Sequence, residues 1–294
     1  MSLRALPTIA IALTATLGLA ACGTQTTGDA QGGEQAESSA PLTIMADAEP
    51  HATLLRQAQE QGLLGDTQID IREITGQVDP NQLVASGDLD ANFFQHAPYL
   101  KNWNNEHNAD LQLVGTVHIE PLGLYSRKID NVDALSNGAN IAIPADAVNQ
   151  GRALFLLADA GVLTLDVDPQ DPGLDIAQVG QQNISENPKN VTFTEIDRPQ
   201  LAASLDDPAV EASIVNGNYA LEAGLRPDQD ALALDNVENN PYANGLVTRP
   251  ELVDDARVQA VVEALKSQEI QDYITETYQG SVLPAQGDGE AAQN

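Results

Sequence analysis

The chain alternates between short runs typical of β-strands and longer stretches with helical periodicity. Leu54, Leu55 and Ala58 share one face of the stretch 52–61 and predict an amphipathic helix there. Runs rich in apolar and β-branched residues predict strands at 42–46, 68–71, 111–119, 140–143 and 191–196. Strands that alternate with helix-length segments predict an α/β fold with mainly parallel sheets.

Two further helical stretches lie in the middle and at the end of this pattern. A helix is predicted from Gly151 to Gly161, where the glycine closes its last turn. Its buried stripe is formed by Ala153, Leu154, Leu157 and Ala160. The stretch 257–278 predicts one or two closing amphipathic helices.

The first 21 residues have the pattern of a secretory signal. A single basic residue, Arg4, precedes an apolar run from about residue 6 to 19, which is too short to span a bilayer. Small residues then lead to Cys22, the only cysteine in 294 residues, and this arrangement matches the bacterial lipobox. We therefore predict cleavage of 1–21, lipid attachment (including palmitate) at Cys22, and a location on the extracytoplasmic face of the cell membrane.

The segments that flank the patterned region are polar. Residues 23–40 contain no aromatic or branched aliphatic residue, so 22–40 is predicted to be a flexible tether of roughly 23–25 Å r.m.s. length. Residues 285–294 are predicted to form a disordered tail.

The charge balance is strongly acidic. Without the signal, 12 basic residues stand against 43 acidic ones, a formal charge of −31. This balance argues against nucleic acid as a partner and against adsorption to anionic lipid headgroups. Because the acidic residues are scattered, a solvated acidic surface is favoured over an acid-lined cation site.

Sequence signatures of catalysis or metal binding are missing. The four histidines, His51, His96, His107 and His118, show no i,i+4 pairing for zinc, and no nucleophile elbow or phosphate loop is found. No metal, cofactor or catalytic residue is predicted. The pattern favours binding over catalysis.

The segment from Asn149 to Arg152 suggests an anion site. A helix that opens here would direct free N–H groups and partial positive charge at a carboxylate. Arg152 adds a fork that can bind a carboxylate bidentately, and Gly151 allows close backbone approach. On these residues alone, a solvent-facing arginine in the first helical turn remains an alternative.

The chain also resembles a known family. The run DLDANFFQHAPYL at 88–100 resembles the D-x-D-A-x-x-F-Q-H-x-P-Y-L signature of the NlpA/MetQ family, the methionine-binding lipoproteins of ABC importers. Matching segments follow in the same order at 121–128, 143–152, 186–190, 199–207, 216–220 and 241–244. The resemblance covers essentially the whole chain after the tether.

The resemblance implies a two-lobed, periplasmic-binding-protein-like α/β fold. Each lobe is a sheet flanked by helices, and ligand binds in the cleft between the lobes. The implied hinge crossovers lie near 121–125 and 244–248. Lobe 1 then comprises 41–121 and 246–284, and lobe 2 comprises 122–245. A monomer that delivers an amino acid, with methionine favoured, to an ABC permease and its ATPase is expected.

The resemblance also assigns roles at the site. Arg152 matches the arginine that pairs with the ligand carboxylate, whereas His96 and Tyr99 match part of the wall around the thioether. The amides that fix the amino and carboxylate groups match Asn149, Asn216 and Asn244.

The chain departs from the family pattern at expected wall positions. Gln77, His118 and Glu120 stand where the resemblance leads us to expect aromatic residues. Methionine specificity can survive this variation, or the ligand is a more polar amino acid, a sulfoxide or a methionyl dipeptide. A buried Glu120 should find a hydrogen bond, face a cationic ligand group or lie outside the pocket.

Two alternatives to an amino-acid receptor belong to other functional classes, a hydrolase and an adhesion protein. A lipid-anchored α/β hydrolase requires a nucleophile–base pair that the sequence does not show. A surface adhesion protein that had lost transport is disfavoured because the segment containing Asn149 and Arg152 is intact.

Overall fold

The computed structural model describes residues 40–237 and 241–285. The predicted signal peptide, the predicted lipid attachment site at Cys22, nearly all of the predicted tether and the predicted tail after residue 285 lie outside the described residues. Within the described part, no helix combines the length and the apolar character needed to cross a membrane.

The strands alternate with helices over most of the chain, as the periodicity predicts. In chain order they are β1 (Leu42–Ala46), β2 (Ile69–Glu73), β3 (Ala91–His96), β4 (Gln112–Ile119), β5 (Gly123–Tyr125), β6 (Asn140–Pro144), β7 (Thr164–Leu165), β8 (Ile184–Glu186), β9 (Thr192–Ile196), β10 (Ala212–Val215), β11 (Ala233–Leu234), β12 (Ala243–Thr248) and β13 (Leu283–Pro284). The α-helices are α1 (Thr53–Glu60), α2 (Pro80–Ser86), α3 (Ala97–His107), α4 (Ala147–Asp159), α5 (Gly217–Glu222), α6 (Pro227–Asp230), α7 (Ala256–Leu265) and α8 (Gln268–Tyr278).

Two main sheets organise the described residues. One has six strands in the order β13-β4-β12-β3-β1-β2, and the other has five in the order β11-β5-β10-β6-β9. The chain passes from the first sheet to the second between β4 and β5, and it returns between β11 and β12. The lobe boundaries themselves stay a prediction.

The strand directions differ from the expectation of mainly parallel sheets, which is wrong. Parallel pairs join β1 to β2 and β3, and β6 to β9 and β10, but β12 runs antiparallel to β3 and β4. β5 is likewise antiparallel to β10 and β11. A parallel pair requires a long crossover connection. Because β5 and β12 are the strands on which the chain enters another sheet, no such crossover fixes their direction.

Each sheet has its own apolar core. Leu54, Leu55 and Ala58 of α1 are fully buried against the six-stranded sheet, together with residues of α7 and α8, so the predicted stripe is confirmed. Leu154 and Leu157 of α4 are fully buried against the five-stranded sheet.

The first turn of α4 lies earlier than predicted. The helix begins at Ala147, and the Asp146 side chain caps it by accepting the Asn149 N–H at 2.9 Å. Gly151 and Arg152 therefore lie in the second turn, where backbone N–H groups are engaged within the helix. The predicted anion site on free N–H groups at these two residues is wrong.

Gly151 serves packing rather than ligand approach. A Cβ atom at this position would lie 2.5 Å from the backbone oxygen of Ile176, in the short 3₁₀ helix Ile176–Gln178. The missing side chain allows α4 to approach this segment closely. The prediction that Gly151 makes room for a ligand is therefore replaced by a backbone contact.

Candidate functional site

The site forms where the carboxyl ends of strands from both sheets meet. Asp47 follows β1 and His96 ends β3, which are parallel neighbours in the six-stranded sheet. Arg198 follows β9 and Asn216 follows β10, on either side of β6 in the other sheet. Parallel strands present their carboxyl ends at one edge, and this edge is where ligands bind in open α/β sheets.

Strand β12 adds a residue between two histidines. Asn244 is the register partner of His96 on β3 and of His118 on β4. All three side chains are buried, with at most 5% exposure. Strand pairing alone therefore holds three predicted site residues side by side.

A cavity lies between these elements. Its volume is about 310 Å³, which includes a part that is open to solvent. Within the described residues it is lined by Phe94, Gln95, His96, Tyr99, Glu120, Arg152, Arg198, Asn216, Asn218 and Asn244. Both sheets contribute, and the lining is mostly polar, which suits a small ligand with several hydrogen-bonding groups.

Arg152 is buried and engaged on several sides. Its Nε donates to Asp235 Oδ2 at 2.6 Å, and its Nη2 donates to the Glu120 backbone oxygen at 2.9 Å. The guanidinium also lies over the ring of Tyr242, 4.3 Å from the centroid. These contacts fix the guanidinium in the cavity wall, and among the described residues they leave both N–H groups of Nη1 and one of Nη2 without a partner.

Two asparagines extend the polar wall beside Arg152. Asn149 donates through Nδ2 to Asp146 Oδ1 at 2.9 Å and accepts from Asn216 Nδ2 at 3.0 Å. The other amide atom, Asn216 Oδ1, is buried without a hydrogen-bond partner among the described residues. Because an unpaired buried acceptor is costly, this oxygen is suited to a donor on a ligand.

Glu120 is a buried carboxylate that accepts hydrogen bonds from two donors among the described residues, and His51 lies close by without hydrogen-bond geometry. His118 Nε2 lies 2.7 Å from Oε1, His51 Nε2 lies 3.2 Å from the same oxygen, and Oε2 accepts the Asn218 N–H at 2.9 Å. Burial alone would raise the pKa of Glu120, but the imidazoles and the N–H outweigh it and lower this pKa. Glu120 is therefore an ionised acceptor in the cavity wall, and His118 Nε2 donates to it.

His96 is a neutral imidazole at the start of α3. Its Nδ1 accepts the Tyr99 N–H at 3.2 Å, so its proton lies on Nε2. Burial, followed by the charges of Arg152 and Arg198, lowers the pKa of His96 to about 3. Its ring meets the edges of the Tyr99 and Tyr242 rings.

The group of His51, His118 and Glu120 was also tested as a metal site. One possible donor atom from each lies within 4.8 Å of the others, and all three residues are buried. However, His118 Nδ1 has no hydrogen-bond partner among the described residues, whereas metal-bound imidazoles are normally oriented by one. The short His118–Glu120 contact fits a hydrogen-bonded carboxylate better, and we interpret the group in that way.

The structure brings the predicted site residues together. Five of the seven line the cavity, namely Arg152, Asn216, Asn244, His96 and Tyr99. Asn149 lies behind Asn216, and His118 lies behind Glu120. Gln77 is exposed in the loop before α2 and does not line the cavity, so its assignment as a wall residue is wrong.

Four cavity residues were not assigned to the site by the sequence reasoning, namely Phe94 and Gln95 of β3, Arg198 and Asn218. Arg198 lies two residues after the end of β9, and Asn218 lies in the first turn of α5 after β10. Both positions lie just beyond the ends of strands that neighbour the same central strand, β6. This shared position was the available signal, but it requires the strand order of the sheet.

Comparison with known proteins places the chain in a family. The sequence profile of the NlpA lipoproteins matches residues 42–286. The chain belongs to the NlpA lipoprotein family. Relatives in this family include the membrane lipoprotein TpN32 of Treponema pallidum, 41% identical over 239 residues, which cover 81% of this chain and 86% of the relative. The methionine-binding lipoprotein MetQ of Bacillus subtilis is 33% identical over 270 residues, 90% of this chain and 93% of MetQ.

Solved structures of similar proteins agree with this membership. The lipoprotein Tp32 of Treponema pallidum matches with a TM-score of 0.76 and 38% identity, over 83% of this chain and 99% of that one. A nutrient binding protein from Burkholderia cenocepacia, solved bound to methionine, matches with a TM-score of 0.76 and 33% identity, over 83% and 100% of the two chains. The NlpA-family chain described here therefore has the same fold as these proteins.

Proposed function

We propose that this protein is the extracytoplasmic solute-binding lipoprotein of an amino-acid ABC importer. One observation carries the proposal: a cavity between two sheets presents two guanidinium groups and a buried carboxylate to the same small space. A free amino acid carries one group complementary to each. Ligand capture without chemical turnover is the role that fits this arrangement.

The ligand carboxylate is assigned to the arginine side of the cavity and the ammonium group to the carboxylate side. Arg152, supported by Asn149, binds the carboxylate, since a guanidinium N–H to carboxylate contact is charge-assisted. Glu120 and the unpartnered Asn216 Oδ1 accept from the ammonium group. Asn244 borders the same space from β12.

Methionine is the first candidate ligand. Phe94, His96 and Tyr99 offer aromatic edges against which a polarizable thioether packs well. The methionine bound to the Burkholderia cenocepacia relative supports this choice. The polar lining by Gln95 and Asn218 favours, as the second candidate, a more polar amino acid or a methionyl dipeptide in the same receptor.

The remaining parts of the proposal concern delivery. Closure of two lobes, 41–121 with 246–284 and 122–245, is proposed to retain the ligand until a permease, driven by its ATPase, takes it up. Lipid on Cys22 and the 22–40 tether are proposed to hold a monomeric receptor near that permease at the outer membrane face. Tethering of this kind raises local concentration without any new contact.

Two measurements test the proposal. Mass spectrometry of the small molecule that co-purifies with the protein should identify an amino acid, and calorimetry should then show one-to-one binding. If neither free amino acids nor short peptides bind, the receptor assignment is wrong. Cys22→Ser should leave binding unchanged while it reduces uptake by cells, and equal uptake would contradict the proposed anchor.

A further inference from the structure

Arg198 is a second arginine in the cavity wall. It begins the short 3₁₀ helix Arg198–Gln200 after β9, and 19% of its side chain is exposed. Its guanidinium carbon lies 4.8 Å from the centroid of the Tyr99 ring, and its Nε lies 3.4 Å from Asp146 Oδ2. Within residues 40–237 and 241–285 its guanidinium forms no N–H···O hydrogen bond. Both terminal nitrogens of Arg198 are therefore available.

Arg152 differs in this respect. Its Nε and Nη2 already donate to Asp235 and to the Glu120 backbone oxygen, and its face is covered by Tyr242. A bidentate contact with a carboxylate requires two parallel N–H groups. Arg152 has already committed two of its five N–H groups, so it has fewer donors left for a ligand than Arg198 has.

The acidic groups around Arg198 leave much of its charge for a ligand. Asp146 uses Oδ1 to bind both nitrogens of Asn149, and its Oδ2 stays beyond hydrogen-bond geometry from Arg198. Asp47 is the other nearby carboxyl group, and burial raises its pKa to about 7, so it is partly protonated at neutral pH. Arg198 therefore holds a partly uncompensated positive charge at the cavity.

The two guanidinium groups act on one region. Both line the same small cavity, and both help to lower the pKa of the buried His96 after burial itself. Arg152 projects from α4, whereas Arg198 projects from the end of the neighbouring strand β9. A carboxylate between them would accept from two separate elements of the five-stranded sheet.

We propose that Arg198 binds the α-carboxylate of the ligand through its terminal nitrogens, on the side of the carboxylate opposite Arg152. The proposal rests on the amino-acid receptor function proposed above and assigns the main carboxylate contact within it. Arg198 also stacks on Tyr99 of α3, and α3 follows β3 of the six-stranded sheet. An arginine that binds the ligand carboxylate would therefore also connect the ligand to the opposite side of the cavity. Ligands are then restricted to those with a free carboxylate.

The test compares two ligands on matched variants of the purified protein. L-methionine carries the carboxylate, and L-methioninol replaces it with a hydroxymethyl group. Arg198→Ala should weaken methionine binding by about 10- to 100-fold but change methioninol binding by less than about threefold. Arg198→Lys should fall between, because lysine keeps the charge but loses the fork. Arg127→Ala, which removes an arginine that is 53% exposed and paired with Asp206, should bind both ligands as the wild type does.

The outcomes separate the possible failures. An unchanged methionine affinity would overturn the proposal, because Arg198 would then not contact the ligand. An equal loss of affinity for both ligands would also overturn it, because Arg198 would then contribute to the cavity wall without binding the carboxylate. A crystal structure of the methionine complex tests the Arg198–carboxylate contact directly and does not depend on the affinity for methioninol. A guanidinium nitrogen of Arg198 should lie within hydrogen-bond distance of a carboxylate oxygen, and a larger separation contradicts the assignment. If the wild type itself binds no amino acid, the receptor function fails first.

Discussion

Replacement of Arg152 by alanine should damage both stability and ligand binding, for separate reasons. Arg152 is 3% exposed and neutralises Asp235, whose side chain is only 10% exposed. The substitution removes the 2.6 Å contact and leaves Asp235 a buried carboxylate with one remaining donor, the Leu122 N–H. An unpaired buried charge is among the most destabilising changes known.

The two effects have different magnitudes. Breaking a buried ion pair from one side costs about 3–5 kcal/mol of unfolding free energy. For a chain of this size that corresponds to a decrease in Tm of roughly 6–20 °C. Loss of a charge-assisted ligand contact should weaken affinity at least about 30-fold. A fall in affinity alone could therefore be mistaken for a folding defect.

A double variant separates folding from binding. Asp235→Asn added to Arg152→Ala removes the orphaned charge, so it should restore most of the lost unfolding free energy. Binding should stay weak, since the guanidinium is still missing. Urea denaturation followed by the fluorescence of Trp103, the only tryptophan, measures stability, and calorimetry measures affinity. Trp103 lies one turn after Tyr99 on α3, so its signal also reports ligand near the cavity.

One result would refute this reasoning. If the double variant recovers affinity together with stability, Arg152 acts only through folding and contacts no ligand. If Arg152→Ala is as stable as the wild type, Asp235 is not the buried, dependent carboxylate that the structure indicates.

Three further changes probe other parts of the structure. Burial raises the pKa of Asp47 from 3.8 to about 7. Because the carboxyl group then ionises more easily in the unfolded chain, the free energy of unfolding of the wild type should fall by up to about 4 kcal/mol between pH 4 and 7. Asp47→Asn should remove this loss, and its stability advantage in urea should therefore grow as pH rises through that window. Gly151→Ala should lower the free energy of unfolding by about 1–3 kcal/mol in urea denaturation, because its Cβ would collide with the Ile176 backbone oxygen. The control Gly173→Ala should be tolerated. Glu120→Gln should weaken methionine binding about 10- to 100-fold by calorimetry, with little effect on an analogue that lacks the amino group.

Each of these has a contrary outcome. A stability difference for Asp47→Asn that is the same at pH 4.5 and pH 8 would mean that the carboxyl group is not shifted. Equal stability of the two glycine variants would contradict the close packing of α4. Equal losses of methionine and of its deaminated analogue in Glu120→Gln would place the ammonium group elsewhere.

Local pattern predicted five of the thirteen strands in the described part of the chain and the helices α1, α4, α7 and α8, because apolar spacing reflects burial. Leu54, Leu55 and Ala58 are fully buried as their helical spacing indicates. Strand direction could not be predicted in this way, because a half-buried strand has the same period in either direction. The antiparallel direction of β5 and β12 was therefore not predicted. The predicted ligand-binding residue Asn244 nevertheless lies on β12.

The start of α4 was predictable but was placed too late. Asp146 follows Pro144 and is itself a residue favoured as a helix cap, which indicates an earlier start than Gly151. Glycine permitted two explanations, ligand approach or helix packing, and only the position of Ile176 distinguishes them.

The site could be predicted as far as the family motifs reach. Those motifs identify Arg152, His96 and Tyr99, which lie together in the structure. For Glu120 the sequence left three possibilities open, namely a hydrogen bond, contact with a cationic ligand group, or a position outside the pocket. In the structure Glu120 is hydrogen-bonded and lies in the cavity wall. Arg198 matches no quoted motif and reaches the cavity only because β9 lies next to β6 in the sheet. Such a meeting of strand ends is a tertiary fact that spacing along the chain does not contain.

Closure of the cavity and recognition of the ligand are one process in this arrangement. Among the described residues, contacts that join the two sheets around the cavity include the hydrogen bond from Asn218 Nδ2 to Asp47 Oδ2 at 3.0 Å and the Arg198–Tyr99 stack. Each contributes about 1 kcal/mol net, so opening of an empty cleft costs only a few kcal/mol. In the proposed receptor, a zwitterion would add charge-assisted contacts to Glu120 at one end and to arginine at the other, and it would thereby shift the equilibrium toward the closed form. A ligand that lacks either charged end should bind without this shift, and its affinity should fall by more than one lost contact explains.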